Sequence, residues 1–495
     1  MSFFSIRIEP SGLIVQARAQ TPLTDILNDF GLDFPCGGKG TCKKCKVKLQ
    51  SGFLDGTPIA VSQNENINLE SNWYLACKSK VISDACIEID QWEHIILNDN
   101  SSFDFEPKNE LGIAIDLGST TIVAQLVDMM DGRIIAFQSA INRQTAYGSD
   151  IISRIEFALQ DKDGKLSLLI RNQIAEMVLK LEEKAQKKIT RAFIVGNSVM
   201  HHFFCEHDIK PLSSYPFESP NNTACQIQSQ ELTNSFSNNY PIEFQPNIGS
   251  FVGSDILAGI IATGIYQSDN YQVLIDLGTN GEIVVGNRER ILCASTAAGP
   301  AFEGANISIG MRATTGAIAS IHCVSDAFEC KIIGNTEAKG ICGSGLIDAV
   351  ACGLKLNKID ETGNLAAESM NMHLNKNLFL NQSDIREYQL AKAAIATGIE
   401  ILLNELKITN KDIEHVYLAG GFGNFVNVNN AIQTGLLEFD ESKIIKAGNS
   451  ALAGTKIMLF KDNQFVDEVL KKCTHISLES KKEFQDIFID KMFFL

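Results

Sequence analysis

The chain has 495 residues, 45% of them hydrophobic and 21% charged, the composition of a globular protein long enough for two or three domains. Its net charge of −16 argues against nucleic acid or an anionic membrane as partner. No apolar run reaches the roughly 18 residues of a membrane span, the first residues lack a signal-peptide core, and 13 scattered cysteines fit a reducing compartment rather than a disulfide framework; a cytoplasmic protein is expected.

Residues 3–7 and 13–15 alternate like the strands of a hairpin, and Lys46-Val47-Lys48-Leu49 returns as a strand. Between them lies Pro35-Cys36-Gly37-Gly38-Lys39-Gly40-Thr41-Cys42-Lys43-Lys44-Cys45. Five residues separate Cys36 from Cys42, two separate Cys42 from Cys45, and 31 separate Cys45 from Cys77. Four thiolates are the complement of a [2Fe–2S] cluster. The loop around such a cluster must wrap closely with backbone N–H groups aimed at sulfur, a geometry that glycine tolerates. A zinc knuckle competes, but only Cys42 and Cys45 form the tight pair that zinc sites use twice. Cys86 competes with Cys77 as fourth ligand. It sits in the alternating stretch Ala85-Cys86-Ile87-Glu88-Ile89 and reads as a core residue of a strand. The region resembles the plant- and adrenodoxin-like ferredoxins, with the longer first gap of the adrenodoxin variant. Tyr74-Leu75-Ala76-Cys77 is similar to their segment that carries the last ligand. The resemblance implies a β-grasp domain over 1–92 that holds a [2Fe–2S] cluster on Cys36, Cys42, Cys45 and Cys77. Lys39, Lys43, Lys44, Lys46 and Lys48 gather near the loop, either as a solvated face or as a docking surface for an acidic electron-transfer partner.

Residues 93–110 are polar and irregular and read as a linker. From Leu111 the chain repeats itself. Gly112-Ile113-Ala114-Ile115-Asp116-Leu117-Gly118 is matched, 160 residues on, by Gln272-Val273-Leu274-Ile275-Asp276-Leu277-Gly278. Each is followed by a second strand, 122–127 and 282–285, and a third, 133–137 and 290–293. A helix is expected over 167–188 in the first half. In the second it is expected over 384–407, where apolar positions 388, 391, 395, 399, 402 and 406 keep helical spacing and Asp384 with Glu387 suits a capping box. Each helix leads to a strand ending in glycine, at Gly196 and at Gly420-Gly421. The repeat predicts two related lobes, 111–270 and 271–495, facing across a cleft.

These features resemble the ATPases of the actin, sugar-kinase and Hsp70 superfamily. There each lobe presents an aspartate–glycine hairpin to the ATP phosphates, and a later glycine pair meets the nucleoside. The fold class expected is α/β: an N-terminal β-grasp ferredoxin domain, then a two-lobed, ribonuclease H-like ATPase. A β–β turn of glycine and small hydroxyl residues presents successive N–H donors to an anion. Gly118, Ser119, Thr120 and Thr121 do so in one lobe; Gly278, Thr279, Asn280 and Gly281 do so in the other. Asp116 and Asp276 would repel phosphate and are better suited to hold Mg²⁺ through its waters. Asp276 or Glu282 orients the attacking water as general base. Gly343-Ser344-Gly345 and Gly420-Gly421 are expected at adenosine, with turns demanded by packing as the other reading.

A narrower resemblance rests on four further stretches: residues 295–305, Gly310-Met311-Arg312-Ala313, residues 340–348 and the closing Phe484-Gln485-Asp486-Ile487-Phe488. They are similar to the reductive activators of corrinoid proteins, which join a [2Fe–2S] domain to an ATPase lobe pair. The resemblance implies an enzyme that uses ATP to pass one electron through its cluster. The acceptor would be the inactive Co(II) corrinoid of a methyltransferase or corrinoid protein, returned to Co(I). It also implies a low-potential electron donor and a homodimer. Many members carry a sizeable further domain before the first phosphate turn, whereas a short linker is read here. Two other readings stand beside it. One is an activator of a radical dehydratase, although such relatives hold a [4Fe–4S] cluster inside the ATPase lobes and lack the N-terminal ferredoxin. The other is an ATP-gated electron-transfer adaptor without turnover. His201-His202 is read as structural, since adjacent residues rarely share one ion. Cys205, Cys225, Cys293, Cys323, Cys330, Cys342, Cys352 and Cys473 show no ligand spacing and are read as core or free thiols.

Overall fold

A computed structural model describes residues 3–9, 13–27, 45–56, 58, 72–89, 105–148, 150–214, 217–278, 280–324, 327–366, 371–423 and 425–494. Cys36, Cys42, Thr279, Lys39, Lys43 and Lys44 lie outside them. The first sheet comprises β1 (Phe3–Glu9), β2 (Leu13–Arg18), β3 (Lys46–Asp55), β4 (Trp73–Leu75) and β5 (Lys80–Ile89), ordered β2-β1-β5-β3-β4. β1 runs antiparallel to β2 and parallel to β5. A short helix, Leu23–Leu27, packs Leu23, Ile26 and Leu27 into the same core as Ile6, Ile8, Val47 and Ile87. The period of two along β5 sends Val81, Ala85 and Ile87 inward. Cys86 therefore falls on the other face. It is half-buried and its Sγ donates to Gln50 Oε1 at 3.4 Å, so the expectation of a core cysteine is corrected.

The next strands are β6 (Leu111–Leu117), β7 (Thr121–Asp128), β8 (Ile134–Ile141), β9 (Ile189–Gly196), β10 (Cys225–Gln228) and β11 (Pro241–Phe244), ordered β10-β11-β9-β6-β7-β8. A second six-stranded sheet opens with β12 (Tyr271–Leu277), β13 (Gly281–Gly286) and β14 (Ile291–Thr296). Two small sheets interrupt it. One contains β15 (Ala317–Val324), β16 (Ala327–Ile332) and β17 (Gly340–Ile341); the other pairs β18 (Asn371–His373) with β19 (Phe379–Asn381). The large sheet is completed by β20 (Ile413–Ala419), β21 (Ile444–Gly448) and β22 (Cys473–His475), in the order β21-β20-β12-β13-β14-β22. In both large sheets an antiparallel three-strand meander is joined on one side by a parallel strand, β9 or β20. The leading strands β6 and β12 are buried on both faces, which is why they read as unbroken apolar runs. In each, the aspartate next to the end is partly exposed.

The helix expected over 167–188 spans Lys165–Glu182. That expected over 384–407 spans Gln382–Leu406 and buries Tyr388, Ala391, Ile395, Ile399 and Leu402 as the spacing required. Its cap differs from the expected pair. Asn381 is the N-cap, and Asp384 is its reciprocal partner rather than the cap itself. The closing helix Phe484–Asp490 leads into a tail tied to this long helix. Gln389 Nε2 donates to the Met492 carbonyl at 2.7 Å, and Lys392 Nζ donates to that of Phe493 at 2.5 Å. Cys323 on β15 and Cys352 on the helix Gly343–Lys355 have Cα atoms 5.8 Å apart and form a disulfide, where two thiols were expected.

The two lobes meet through helices Ser254–Thr263 and Ser450–Leu459. A side chain at Gly454 would collide with the Ala258 carbonyl, so glycine lets the helix backbones touch. One apolar core runs through this contact, uniting Ala114 and Val123 with Leu257, Leu274, Val284 and Leu452. No helix among the described residues is long and apolar enough to cross a membrane.

Candidate functional site

The fold brings four buried carboxylates from both lobes together. Asp116 is the last residue but one of β6 and Asp276 of β12, and Asp276 lies directly across from Glu282 on β13. The fourth, Asp255, is in the first turn of helix Ser254–Thr263. Burial pushes Asp276 up to about 7, and the Asp116 charge adds to this. Burial likewise raises Asp255 to about 7, with Asp276 and Asp116 adding repulsion. Glu282 stands well above the ordinary range for the same cause, then through Asp276 and Asp255. Burial takes Asp116 to about 6, opposed by a hydrogen bond in which Asn449 Nδ2 donates to its Oδ2 at 2.9 Å. Asn449 caps the helix Ser450–Leu459, so this bond crosses between the lobes. Carboxyl groups that hold one another protonated suit a hard divalent cation, which reverses that preference.

The first glycine turn is braced from three directions. Asn142 Nδ2 donates to the Gly118 carbonyl at 3.0 Å, and Asn197 Nδ2 donates to Ser119 Oγ at 2.8 Å. Arg154 Nη1 donates to the Ser119 carbonyl at 2.6 Å and its Nε to that of Gly148 at 2.9 Å. Arg154 is fully buried, and its Nη2 has no partner among the described residues. A buried guanidinium with an unsatisfied N–H beside a phosphate-type turn is suited to an anion. The second turn is closed by Gly278 N donating to the Asn280 carbonyl at 3.1 Å. Gly281 starts β13 under Ile395, where an added Cβ would lie 2.9 Å from its Cγ1.

The two glycine groups expected at adenosine sit differently. Gly420 follows the end of β20 with φ +80°, and any side chain there would meet Asp276 Oδ1; Gly421 comes next in the one-turn helix Gly420–Gly423. Gly343, Ser344 and Gly345 open the helix Gly343–Lys355 and face inward. Ser344 Oγ donates to the Ala319 carbonyl at 2.8 Å, and Gly345 packs on the Ile318 carbonyl.

At the N-terminal sheet, β3 pairs with β4 so that Lys46 faces Leu75, and the Ala76 N–H donates to the Cys45 carbonyl at 2.8 Å. This register brings buried Cys45 next to half-buried Cys77, which sits in the turn Ala76–Lys78. Of the expected basic patch, Lys46 and Lys48 lie within the described residues, and Lys48 pairs loosely with Glu88 at 3.8 Å.

Comparison with known proteins matches each of these parts. A model of the 2Fe-2S iron-sulfur cluster binding domain matches residues 6–81. The RACo middle region matches 111–268, and the C-terminal domain of RACo, the ASKHA domain, matches 270–495. The corrinoid activation enzyme RamQ of Eubacterium limosum is 29% identical over 96% of both chains. This chain belongs to the reductive activators of corrinoid proteins. A solved reductive activator for corrinoid, iron-sulfur protein has 26% identity and a TM-score of 0.68, covering 99% of this activator and 98% of that chain. The [Co(II) methylated amine-specific corrinoid protein] reductase of Methanosarcina barkeri is 25% identical over 76% of both chains. The activator's N-terminal domain is thus of the [2Fe–2S] type and its residues 270–495 are of the ATP-binding ASKHA type. The family's middle region coincides with the first lobe here. The RamQ alignment runs over 573 positions, more than the 495 residues of this activator, so that relative carries residues this chain lacks.

Sequence reasoning missed Asp255, Arg154, Asn197 and Asn449. Asp255 follows Gly253-Ser254, a helix start that is visible in the sequence, but its facing both hairpin aspartates is a product of lobe packing. Arg154 carries no local signal at all.

Proposed function

We propose that this activator binds ATP between its lobes and uses it to drive one-electron reduction of a Co(II) corrinoid, in a methyltransferase or corrinoid protein, to Co(I). One observation carries the reading. A single chain joins a cysteine-bearing ferredoxin-type sheet to a group of buried carboxylates drawn from two lobes, and it matches a corrinoid activation enzyme over 96% of both chains. The chain divides as 1–92 for the cluster domain, 93–110 for the linker, 111–270 for lobe 1 and 271–495 for lobe 2. Cys36, Cys42, Cys45 and Cys77 hold the [2Fe–2S] cluster, which when bound supplies a one-electron carrier.

In the cleft, the turns Gly118-Ser119-Thr120-Thr121 and Gly278-Thr279-Asn280-Gly281 cradle the phosphates by backbone N–H. Arg154 adds a charged donor behind the first turn. Asp116 and Asp276 hold Mg²⁺ through its waters, and Asp276 or Glu282 orients the attacking water. Gly343, Ser344, Gly345, Gly420 and Gly421 border the adenosine. A plant-type cluster sits near roughly −400 mV, and each ~59 mV of uphill one-electron transfer is a tenfold disadvantage. ATP must therefore favour a reactive complex through its differential affinity for two states of the protein. The Asp116–Asn449 bond between lobes is where we place that change of state. A low-potential donor, a homodimer and a cytoplasmic setting complete the proposal.

The test is an anaerobic spectrum of the activator mixed with a Co(II) corrinoid methyltransferase and a reductant, with and without Mg-ATP. A Co(I) band that appears only with ATP supports the reading. A reducible [2Fe–2S] spectrum with no Co(I) from any of several corrinoid partners would reject it and direct the search to another acceptor. Arg154→Lys should keep the fold but lose the fork that spans Ser119 and the anion. We expect ATP turnover to fall roughly 10²-fold, measured as steady-state phosphate release. Unchanged turnover would remove Arg154 from the phosphate site.

A further inference from the structure

Behind the first phosphate turn lies a cluster that neither ATP nor the iron centre uses. The helix Ser198–Cys205 places His201 and Cys205 four residues apart, hence on one face. The chain then turns so that His207 returns to them. The ligand atoms of His201, Cys205 and His207 all lie within 4.8 Å of one another. A fourth donor comes from elsewhere in the chain. Cys225, the first residue of β10, exchanges a side-chain hydrogen bond with Cys205. Its strand partner Phe244 lies edge-on to His201, with ring centroids 4.9 Å apart.

His201 is the informative member. It is completely buried, and its Nδ1 has no hydrogen-bond partner among the described residues. Its Nε2 lies 3.1 Å from the Thr223 carbonyl. A ligating histidine characteristically donates its second ring N–H to a backbone carbonyl, which leaves the other nitrogen's lone pair aimed at the metal. His202, by contrast, has both nitrogens satisfied, by the Ser198 carbonyl at 2.7 Å and Ser219 Oγ at 2.6 Å. His202 thus fits the structural role expected of the pair, while His201 keeps a ring nitrogen to spare. The sequence pattern here is His-x-x-x-Cys-x-His, with two ligands on one helix face and the third just beyond its end.

We infer that His201, Cys205, His207 and Cys225 form a binding site for a zinc-class divalent cation. Two imidazoles and two thiolates are a tetrahedral set that selects such a borderline-soft ion over Mg²⁺. Donors on such an ion stand roughly 3.5 Å apart; His201, Cys205 and His207 already lie within 4.8 Å of one another, and the Cys225 sulfur, hydrogen-bonded to Cys205, must swing in to join them. The Arg171 guanidinium, itself paired with Glu206 at 2.9 Å, lies near both sulfurs and offsets thiolate charge. The ion would tie this helix to the segment leading into β10. Asn197 caps the same helix through the Val199 and Met200 N–H groups and also holds Ser119. The site is thereby linked to the first phosphate turn.

The test uses the full chain, purified anaerobically with its iron–sulfur cluster in place so that the iron-loop cysteines are occupied. Zinc and iron are counted together after dialysis against chelator-buffered zinc, and the zinc shell is read by X-ray absorption. About one zinc per chain with two sulfur and two nitrogen ligands is expected. Cys205→Ser and His207→Gln should each lose the zinc and keep the iron. His207 is partly exposed, so its replacement should leave the fold intact. A zinc-dependent rise in melting temperature should occur in the parent chain and vanish in both variants. No zinc at micromolar free concentration, a four-sulfur shell, or zinc retained by both variants would each overturn the assignment.

Discussion

Asp276→Asn should abolish ATP turnover and, without nucleotide or metal, make the protein more stable above pH 7. The two effects share one cause. Asp276 sits at the centre of the carboxylate group and raises Asp255 and Glu282 by its charge. Folding lifts Asp116 to about 6 and Asp255 and Asp276 to about 7 from an ordinary value near 4, and raises Glu282 well above its ordinary range. The folded chain therefore holds more protons than the unfolded chain across that window, and stability falls as pH rises through it. Above pH 7 the repulsion is fully present; near pH 5 the groups are largely neutral. The variant should gain roughly 1–2 kcal/mol at pH 8, discounted because the four groups share their protons, and little at pH 5. Calorimetry at the two pH values reads this directly. Turnover should drop by roughly 10²–10⁴-fold, the range for a lost general base or metal ligand. Mg-ATP binding to the unaltered protein should release protons at pH 6.5 and tighten toward pH 8, since the cation needs the carboxylates ionised. Equal stability of the variant and parent at pH 8 would show that the carboxylates do not repel one another in the folded state.

Cys77→Ser should remove the cluster and leave the ATP site working. Among the described residues Cys77 packs against the core of the first sheet, which meets Phe137 of β8 but is otherwise separate from the cores of the lobes. The visible iron–sulfur spectrum should be lost, and Co(I) formation should fall to background. Mg-ATP affinity should stay within about twofold, because no lobe contact is touched. Cys86→Ser is the matched control. Its sulfur faces away from that core toward Gln50, so the cluster and Co(I) formation should persist. Cluster loss in Cys86→Ser with retention in Cys77→Ser would exchange the fourth ligand. Together with Asp276→Asn, which should keep a reducible cluster but yield no Co(I), these variants separate electron carriage from nucleotide gating.

Much of this was legible in one dimension because the relevant signals are local or periodic. The two leading strands are unbroken apolar runs because both faces are buried, and each carries an aspartate and a glycine at its open end. The long helix Gln382–Leu406 announced its buried face by spacing alone. Its cap was misplaced by three residues, because Asn381 and Asp384 both qualify chemically and only the backbone conformation at Asn381 decides. Cys86 was misassigned because alternation gives the period of a strand but not which phase points inward.

The sequence by itself determined the duplicated hairpins, the cysteine spacing of the iron loop and hence the pairing of electron carrier with nucleotide site. Those features reside in contiguous residues whose chemistry needs no distant partner. The tertiary structure alone decided that Asp255 joins Asp116, Asp276 and Glu282, that Asn449 reaches across to Asp116, and that buried Arg154 backs the first turn with a spare N–H. It alone set Cys225 beside Cys205. Each of these depends on helices and strands far apart in the chain packing against one another. Desolvation and mutual repulsion, which give the carboxylates their chemistry, exist only once that packing has excluded water.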